Sequence, residues 1–155
     1  MIYNLVMRVS VSNIIKILVY EIKKKKKITG VEIDPKIIKI ANTYFKLDEV
    51  KNLEIIIGDA FEFVLKTKTK YDLIIIDIFQ DTTMPNFLFE PFFTSRICFL
   101  LKSHGFVLFN TMILNETQNI RNKKYVSEFY ENQFQIRKIP RVEVHNELIV
   151  IEKLE

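Results

Sequence analysis

At 155 residues, the chain has room for one folded domain with one core and too little for two. Its 48% hydrophobic and 27% charged residues exclude a disordered or collagen-like chain, and its longest apolar runs, 73–76 and 97–101, fall far short of the ~20 residues that a bilayer demands. The net charge of +4 would suit nucleic acid, yet the lysine run 23–27 follows an apolar helical pattern without interleaved aromatics and reads as a solvated helix end, where cations complement the macrodipole.

From the N-terminus, residues 1–7 lack the basic start and apolar length of a secretory signal and read instead as a strand, 2–7. A cytoplasmic protein is the expectation. Ile14, Ile15, Leu18 and Ile22 recur at helical spacing and define a helix over 13–22 that ends in the lysine run. A strand at 28–33 follows, and then Asp34-Pro35, an N-cap with proline at the first helical position, opens a helix over 35–45. Ile37, Ile38, Ala41, Tyr44 and Phe45 share one face of it. Next come a strand at 53–57, a helix at 60–66, a strand at 71–78, a helix at 85–101 and a strand at 106–110. A helix over 117–130 leads to two closing strands, 134–139 and 147–151, joined through Pro140 and His145-Asn146. Cys98, the one cysteine, lies in an apolar run and reads as a buried thiol, which leaves neither a disulfide framework nor a cysteine zinc site. His104 and His145 fall in turns, with no metal spacing.

This alternation of β-branched runs with helical patterns predicts an α/β fold: a mostly parallel twisted sheet, helices on both faces, and a C-terminal antiparallel hairpin. No repeat, linker or boundary interrupts it, so residues 1–155 read as a single domain. Right-handed crossovers place the carboxyl ends of the parallel strands on one rim, where ligands of such sheets bind. Four acceptors stand at successive strand ends: Glu32, Asp59, Asp77 and Asn110. An acidic group at the end of the second strand can accept from both ribose hydroxyls of a nucleoside, which makes Glu32 a binding candidate together with its neighbour Ile33. Phe79 follows Asp77 into the loop above the rim. Phe87, Phe89, Phe92, Phe93 and Phe99 read as packing of the helix after the fourth strand, and Glu90, Glu128 and Glu131 as surface helix residues.

Several segments together carry a family resemblance. These are Ile28-Thr-Gly-Val-Glu-Ile-Asp-Pro35, Ala41-Asn-Thr-Tyr-Phe45, Gly58-Asp-Ala-Phe61, Tyr71-Asp-Leu-Ile-Ile-Ile-Asp77, Pro85, Leu88, and 100–105, with a weaker echo at 146–151. The pattern resembles the spermidine synthase (polyamine aminopropyltransferase) family of the class I S-adenosylmethionine-dependent methyltransferase superfamily, with its Rossmann-like fold. The resemblance implies that Glu32 holds the ribose of decarboxylated S-adenosylmethionine or S-adenosylmethionine, that Asp59 and Ala60 border the adenine, and that Asp77 faces the amine acceptor as the catalytic carboxylate. It further implies a polyamine as acceptor, with Asp81 and Phe79 on the acceptor side, no metal, and a homodimer as the possible assembly.

Three features depart from the family. The expected glycine-rich turn falls at 8–13, Arg-Val-Ser-Val-Ser-Asn, without a glycine; the chain has three in all, Gly30, Gly58 and Gly105. The usual Asp-x-x-Asp-Pro becomes Asp77-Ile-Phe-Gln-Asp81, one residue longer. The family's small N-terminal β-domain has no counterpart in this sequence. Three readings therefore stay open: aminopropyl transfer, methyl transfer, and a catalytically silent relative.

Glycines in the first turn let backbone approach a ligand closely, and β-branched valines at positions 9 and 11 would bring methyl groups into that space. The expected dissociation constant for either nucleoside is therefore about 0.1 mM or weaker, roughly −5.5 kcal/mol. Titration calorimetry on the Val9→Gly, Val11→Gly double variant is expected to show tighter binding; an unchanged constant would refute the steric account.

Overall fold

A computed structural model describes residues 5–8, 27–80 and 83–155. The helix expected over 13–22, the glycine-free turn after Arg8, and Asp81 lie outside the described residues. In chain order the elements are β1 (Leu5–Arg8), β2 (Ile28–Glu32), α1 (Pro35–Phe45), β3 (Leu53–Ile57), α2 (Ala60–Lys66), β4 (Tyr71–Ile76), α3 (Pro91–Leu100), β5 (Leu101–Met112), α4 (Glu116–Ser127), β6 (Phe134–Glu143) and β7 (Asn146–Lys153). The described strands form one sheet of order β3-β2-β1-β4-β5-β7-β6. β1 to β5 are parallel neighbours, and β7 runs antiparallel to both β5 and β6. The chain steps outward from β1 to β3 and then crosses back to β4, so the switch point lies between β1 and β4. Among the described residues no helix is long and apolar enough to cross a membrane.

β3 shows how the sheet is covered on both faces. Leu53 and Ile55 pack with Ala41 and Leu47 of the α1 side, while Ile56 packs into the larger cluster on the opposite face. Alternate residues of a strand point to opposite faces, so helical layers must lie on both. The larger cluster is centred on the fully buried cross-strand pairs Val107–Ile151 and Phe109–Ile149. A file of rings, Phe89, Phe109, Tyr125, Phe129 and Phe134, continues it beneath α4 with centroids 5.2–5.8 Å apart, mostly edge-to-face. Each such pair contributes about 0.5–1.5 kcal/mol beyond its area. Burial pushes the Tyr125 phenol upward and the half-buried Cys98 thiol to about 11, so both stay protonated. On the α1 face expected from the sequence, Ala41 is buried but Tyr44 stays 74% exposed.

Helix ends are set by side chains. Asp34 accepts from the Lys36 N–H (2.8 Å), Asp59 from Phe61 (2.7 Å) and Asn115 from Gln118 (3.0 Å). Arg96 of α3 donates to the carbonyls of Val64, Leu65 and Thr67, satisfying the end of α2.

The helix expected over 85–101 is broken. A 3₁₀ turn, Asn86–Phe89, precedes α3, and Glu90 between them is extended (φ −77°, ψ 135°). Pro91 has no N–H to donate and disfavours helical backbone before it, so the helix starts at proline. Pro140, expected in the hairpin connection, lies inside β6 opposite Glu147; β6 is the sheet edge, where a missing N–H costs no ladder bond. Glu128 is half-buried at the end of α4, not a surface residue, and its Oε2 has no hydrogen-bond partner.

β5 is longer than the sequence suggested, because the segment 102–105 read as a turn is an irregularity within the strand. Two steps along β4, Tyr71 to Leu73, are matched by five along β5, Leu101 to Phe106. His104 there takes the left-handed region at φ 57°. At Gly105 a Cβ would stand 2.9 Å from the Lys102 carbonyl oxygen and 3.2 and 3.3 Å from those of Tyr71 and Asp72. All three are backbone atoms that cannot rotate away. Gly105→Ala is therefore expected to destabilise the protein by about 1–3 kcal/mol, read as a lower urea midpoint. A wild-type midpoint would show that this irregularity yields freely.

Candidate functional site

The registers bring the strand ends to a common edge. Arg8 of β1 lies beside Val31, Glu32 beside Ile57, and Ile76 beside Phe109, so Glu32 and Asp77 end the strands on either side of β1. Two interstrand spacings, about 10 Å, separate those strands. Both carboxylates are buried, Glu32 at 2% and Asp77 at 8% exposure. Burying an ionised carboxylate is costly without donors to it. Glu32 Oε1 accepts from the Asp34 N–H at 3.0 Å, and Asp77 Oδ1 accepts from Asn110 Nδ2 at 3.0 Å. The Asn110 Oδ1 in turn accepts from Asn146 Nδ2 at 2.9 Å.

Between these ends and α2 lies a cleft of about 110 Å³ lined by Val31, Ile33, Gly58, Asp59 and Ala60 and, from the segment after β4, Ile78, Gln80, Pro85 and Phe87. The walls are chiefly apolar. Ile33 is 57% exposed there, and a Cβ on Gly58 would meet open space. An apolar lining that includes an exposed isoleucine and a phenylalanine, at a sheet's switch point, suits a flat apolar ring with a polar rim. Asp59 has one oxygen committed to the Phe61 N–H, as the cap of α2.

Of the residues named from the sequence, the structure brings Ile33, Asp59 and Ala60 together in the cleft lining, with Glu32 and Asp77 one residue from lining positions. Phe79 is half-buried and packs against the core cluster, not along the cleft. Phe87, read from sequence as packing, meets Phe61 at a tilt and Phe93 edge-on, each with centroids 5.1 Å apart, and also lines the cleft. Gln80 had no periodic signal to mark it, and Pro85, expected as the first residue of a helix, lies in loop before the 3₁₀ turn. Arg121 was not singled out either. Its guanidinium lies 3.9 Å over the Phe89 ring and donates to the Met112 carbonyl and the Asn122 side chain. Desolvation lowers its pKa, and it holds the loop carrying Pro85 and Phe87 against the end of β5. No group of three or more potential metal ligands occurs among the described residues.

Strand order, switch-point cleft and strand-end carboxylates define the Rossmann-like fold of class I S-adenosylmethionine methyltransferases. Solved structures agree. Human methyltransferase-like protein 13 in complex with SAH is 20% identical with a TM-score of 0.80, over 100% of this chain and 73% of that one. Fibrillarin from Aeropyrum pernix, with natively bound S-adenosyl-L-methionine, is 15% identical with a TM-score of 0.70, over 96% and 65%. Within that class the chain belongs to the spermine/spermidine synthase family, whose domain profile, described as "Spermine/spermidine synthase domain", matches residues 9–146. A probable polyamine aminopropyl transferase of Bifidobacterium longum is 31% identical over 99 residues, 64% of this chain and 22% of that protein. A polyamine aminopropyltransferase of Vibrio vulnificus is 32% identical over 114 residues, 72% and 38%. The chain thus aligns with well under half the length of either relative.

Should a nucleoside bind as the strand-end geometry suggests, Glu32→Gln is expected to weaken it by about 1.5–3 kcal/mol, the worth of hydrogen bonds to a charged acceptor. Calorimetric titration with 5′-methylthioadenosine checks this, and an unaltered affinity would remove Glu32 from the site.

Proposed function

We propose that this chain is a transferase domain that binds decarboxylated S-adenosylmethionine and moves its aminopropyl group to a polyamine. The observation that carries the reading is the pair of buried carboxylates, Glu32 and Asp77, ending the strands on either side of β1 at one edge of the sheet. In this reading Glu32 accepts from the ribose hydroxyls. The adenine lies between Ile33 and Phe87, bordered by Asp59 and Ala60. The sulfonium side of the ligand extends past the end of β1 toward Asp77, and Phe79 and Asp81 stand on the acceptor side. All of these residues act within one domain formed by the whole chain.

The chemistry follows from what a sulfonium and an amine need. The nitrogen lone pair of the acceptor forms a bond to the carbon next to sulfur. The C–S bond breaks with its pair returning to sulfur, and neutral 5′-methylthioadenosine leaves. The nitrogen, positively charged after attack, gives its proton to the Asp77 carboxylate. Orienting the two reactants supplies much of such a rate enhancement, and a placed base adds about 10²–10⁴-fold. Methyl transfer from S-adenosylmethionine would use the same nucleoside pocket, and relative affinity for the two nucleosides separates the readings. A silent relative is favoured by the glycine-free turn at 8–13 and by a cleft of about 110 Å³, below the roughly 300–1,000 Å³ of most ligand sites.

Asp77→Asn tests the assignment. Aminopropyl transfer from the decarboxylated nucleoside to putrescine or spermidine is expected to fall about 100-fold or more, with nucleoside affinity changed less than about threefold. A variant that loses binding but keeps its turnover would contradict the role.

A further inference from the structure

The Asp77 carboxylate stands at one end of a directional chain of amides that crosses three strands. Asn110 Nδ2 donates to Asp77 Oδ1 at 3.0 Å, and Asn146 Nδ2 donates to Asn110 Oδ1 at 2.9 Å. An amide side chain has a donor end and an acceptor end. Rotated by half a turn, Asn110 would set its carbonyl oxygen against a carboxylate and its NH₂ against the NH₂ of Asn146. Both contacts would be repulsive. The Asp77 carboxylate, which only accepts, and the NH₂ that Asn146 presents both favour the same orientation of Asn110, and each hydrogen bond polarises the next.

The backbone holds all three residues. Phe109 is paired with Ile76, which brings Asn110 level with Asp77. Met112 is paired with Asn146 across the β5–β7 ladder, placing Asn110 and Asn146 on one face as diagonal neighbours. The Ile113 N–H donates to the His145 carbonyl at 2.8 Å, which ties the start of β7 to the end of β5. Groups carried on strands hold geometry better than groups on loops.

We propose that Asn110 and Asn146 are positioning residues for Asp77, a two-amide relay that orients its carboxylate toward the incoming amine. The proposal rests on the reading of Asp77 as proton acceptor, but its direction can be tested without catalysis. Asn146→Asp replaces the far donor with an acceptor. Asn110 then lies between two carboxylates that only accept, and one of its two ends meets a repulsive contact whichever way its amide is turned. Adding Asp77→Asn restores a complete chain in the opposite sense, because the amide now at position 77 can donate to Asn110.

Urea unfolding of wild type, both single variants and the Asp77→Asn, Asn146→Asp double variant forms a cycle. The relay predicts that Asn146→Asp alone lowers the midpoint and that the double variant regains at least half of the loss. Additive effects overturn it. In parallel, Asn146→Ala is expected to lower kcat for aminopropyl transfer to spermidine about tenfold, the loss of one hydrogen bond's worth of orientation. Its 5′-methylthioadenosine affinity should stay within about twofold of wild type, and Asn146→Asp should lower kcat further. An active wild type whose kcat is indifferent to both variants overturns the positioning role. A wild type that transfers nothing sinks the proposed reaction instead, and the unfolding cycle then decides the relay by itself.

Discussion

The register of the central ladder is the constraint from which the site follows. Ile76 beside Phe109, and Phe109 beside Ile149, set three strands at one level, so that the polar residues just beyond them, Asp77 and Asn110, meet. A slip of one residue would turn every side chain of a strand to the other face. It would bury Asn110 among the rings of Tyr125 and Phe89 and leave the Asp77 carboxylate without that donor. Fully buried Val107, Phe109, Ile149 and Ile151 make such a slip costly. The apolar face thus holds the polar one in place.

A second buried polar group anchors α4 on that same apolar face. Asn122 Nδ2 donates to Thr111 Oγ1 at 2.9 Å and, at 3.4 Å, to Glu147, whose other oxygen accepts from Lys138 at 3.0 Å. Thr111 and Asn122 are wholly buried, so truncating either would strand a partner away from water and cost more than the hydrogen bond itself contributes. Thr111 and Glu147 are directly paired, while Asn110 and Asn146 precede them on the opposite face. β5 and β7 therefore carry two polar systems back to back, one fixing a helix and the other reaching the candidate catalytic carboxylate.

The cleft draws its lining from three separate segments. Ile33 and Phe87 supply apolar lining, and Gly58 leaves space that a side chain would occupy. Gly58 also donates its N–H to the Glu32 carbonyl at 2.9 Å, coupling the end of β3 to the strand that presents the ribose candidate. Gly105, which does not line the cleft, stands where the backbone of Lys102, Tyr71 and Asp72 comes too close for a Cβ. The few glycines of this chain thus stand at positions of different kinds, and the family's usual position, the turn after β1, has none.

The sequence by itself determined the alternation of strands and helices, the Asp34-Pro35 boundary, the limits of α1, β3 and α2, and the candidacy of Glu32, Asp59 and Asp77. These features are local: periodicity, cap chemistry and strand ends are written in adjacent residues. It also carried the family, because those local motifs occur in order. Only the tertiary structure decided that Pro91 splits the segment after β4, that Pro140 lies within an edge strand, and that β5 absorbs an irregularity at Gly105. Each depends on which strand lies alongside. The same holds for Phe87, whose second role appears only once residues at the end of β2 and the start of α2 join it in one cleft lining. It holds most clearly for Asn146, which lies 69 positions from Asp77 in the sequence. Nothing nearby in the chain links Asn146 to Asp77, because its partner Asn110 reaches it only across the β5–β7 ladder.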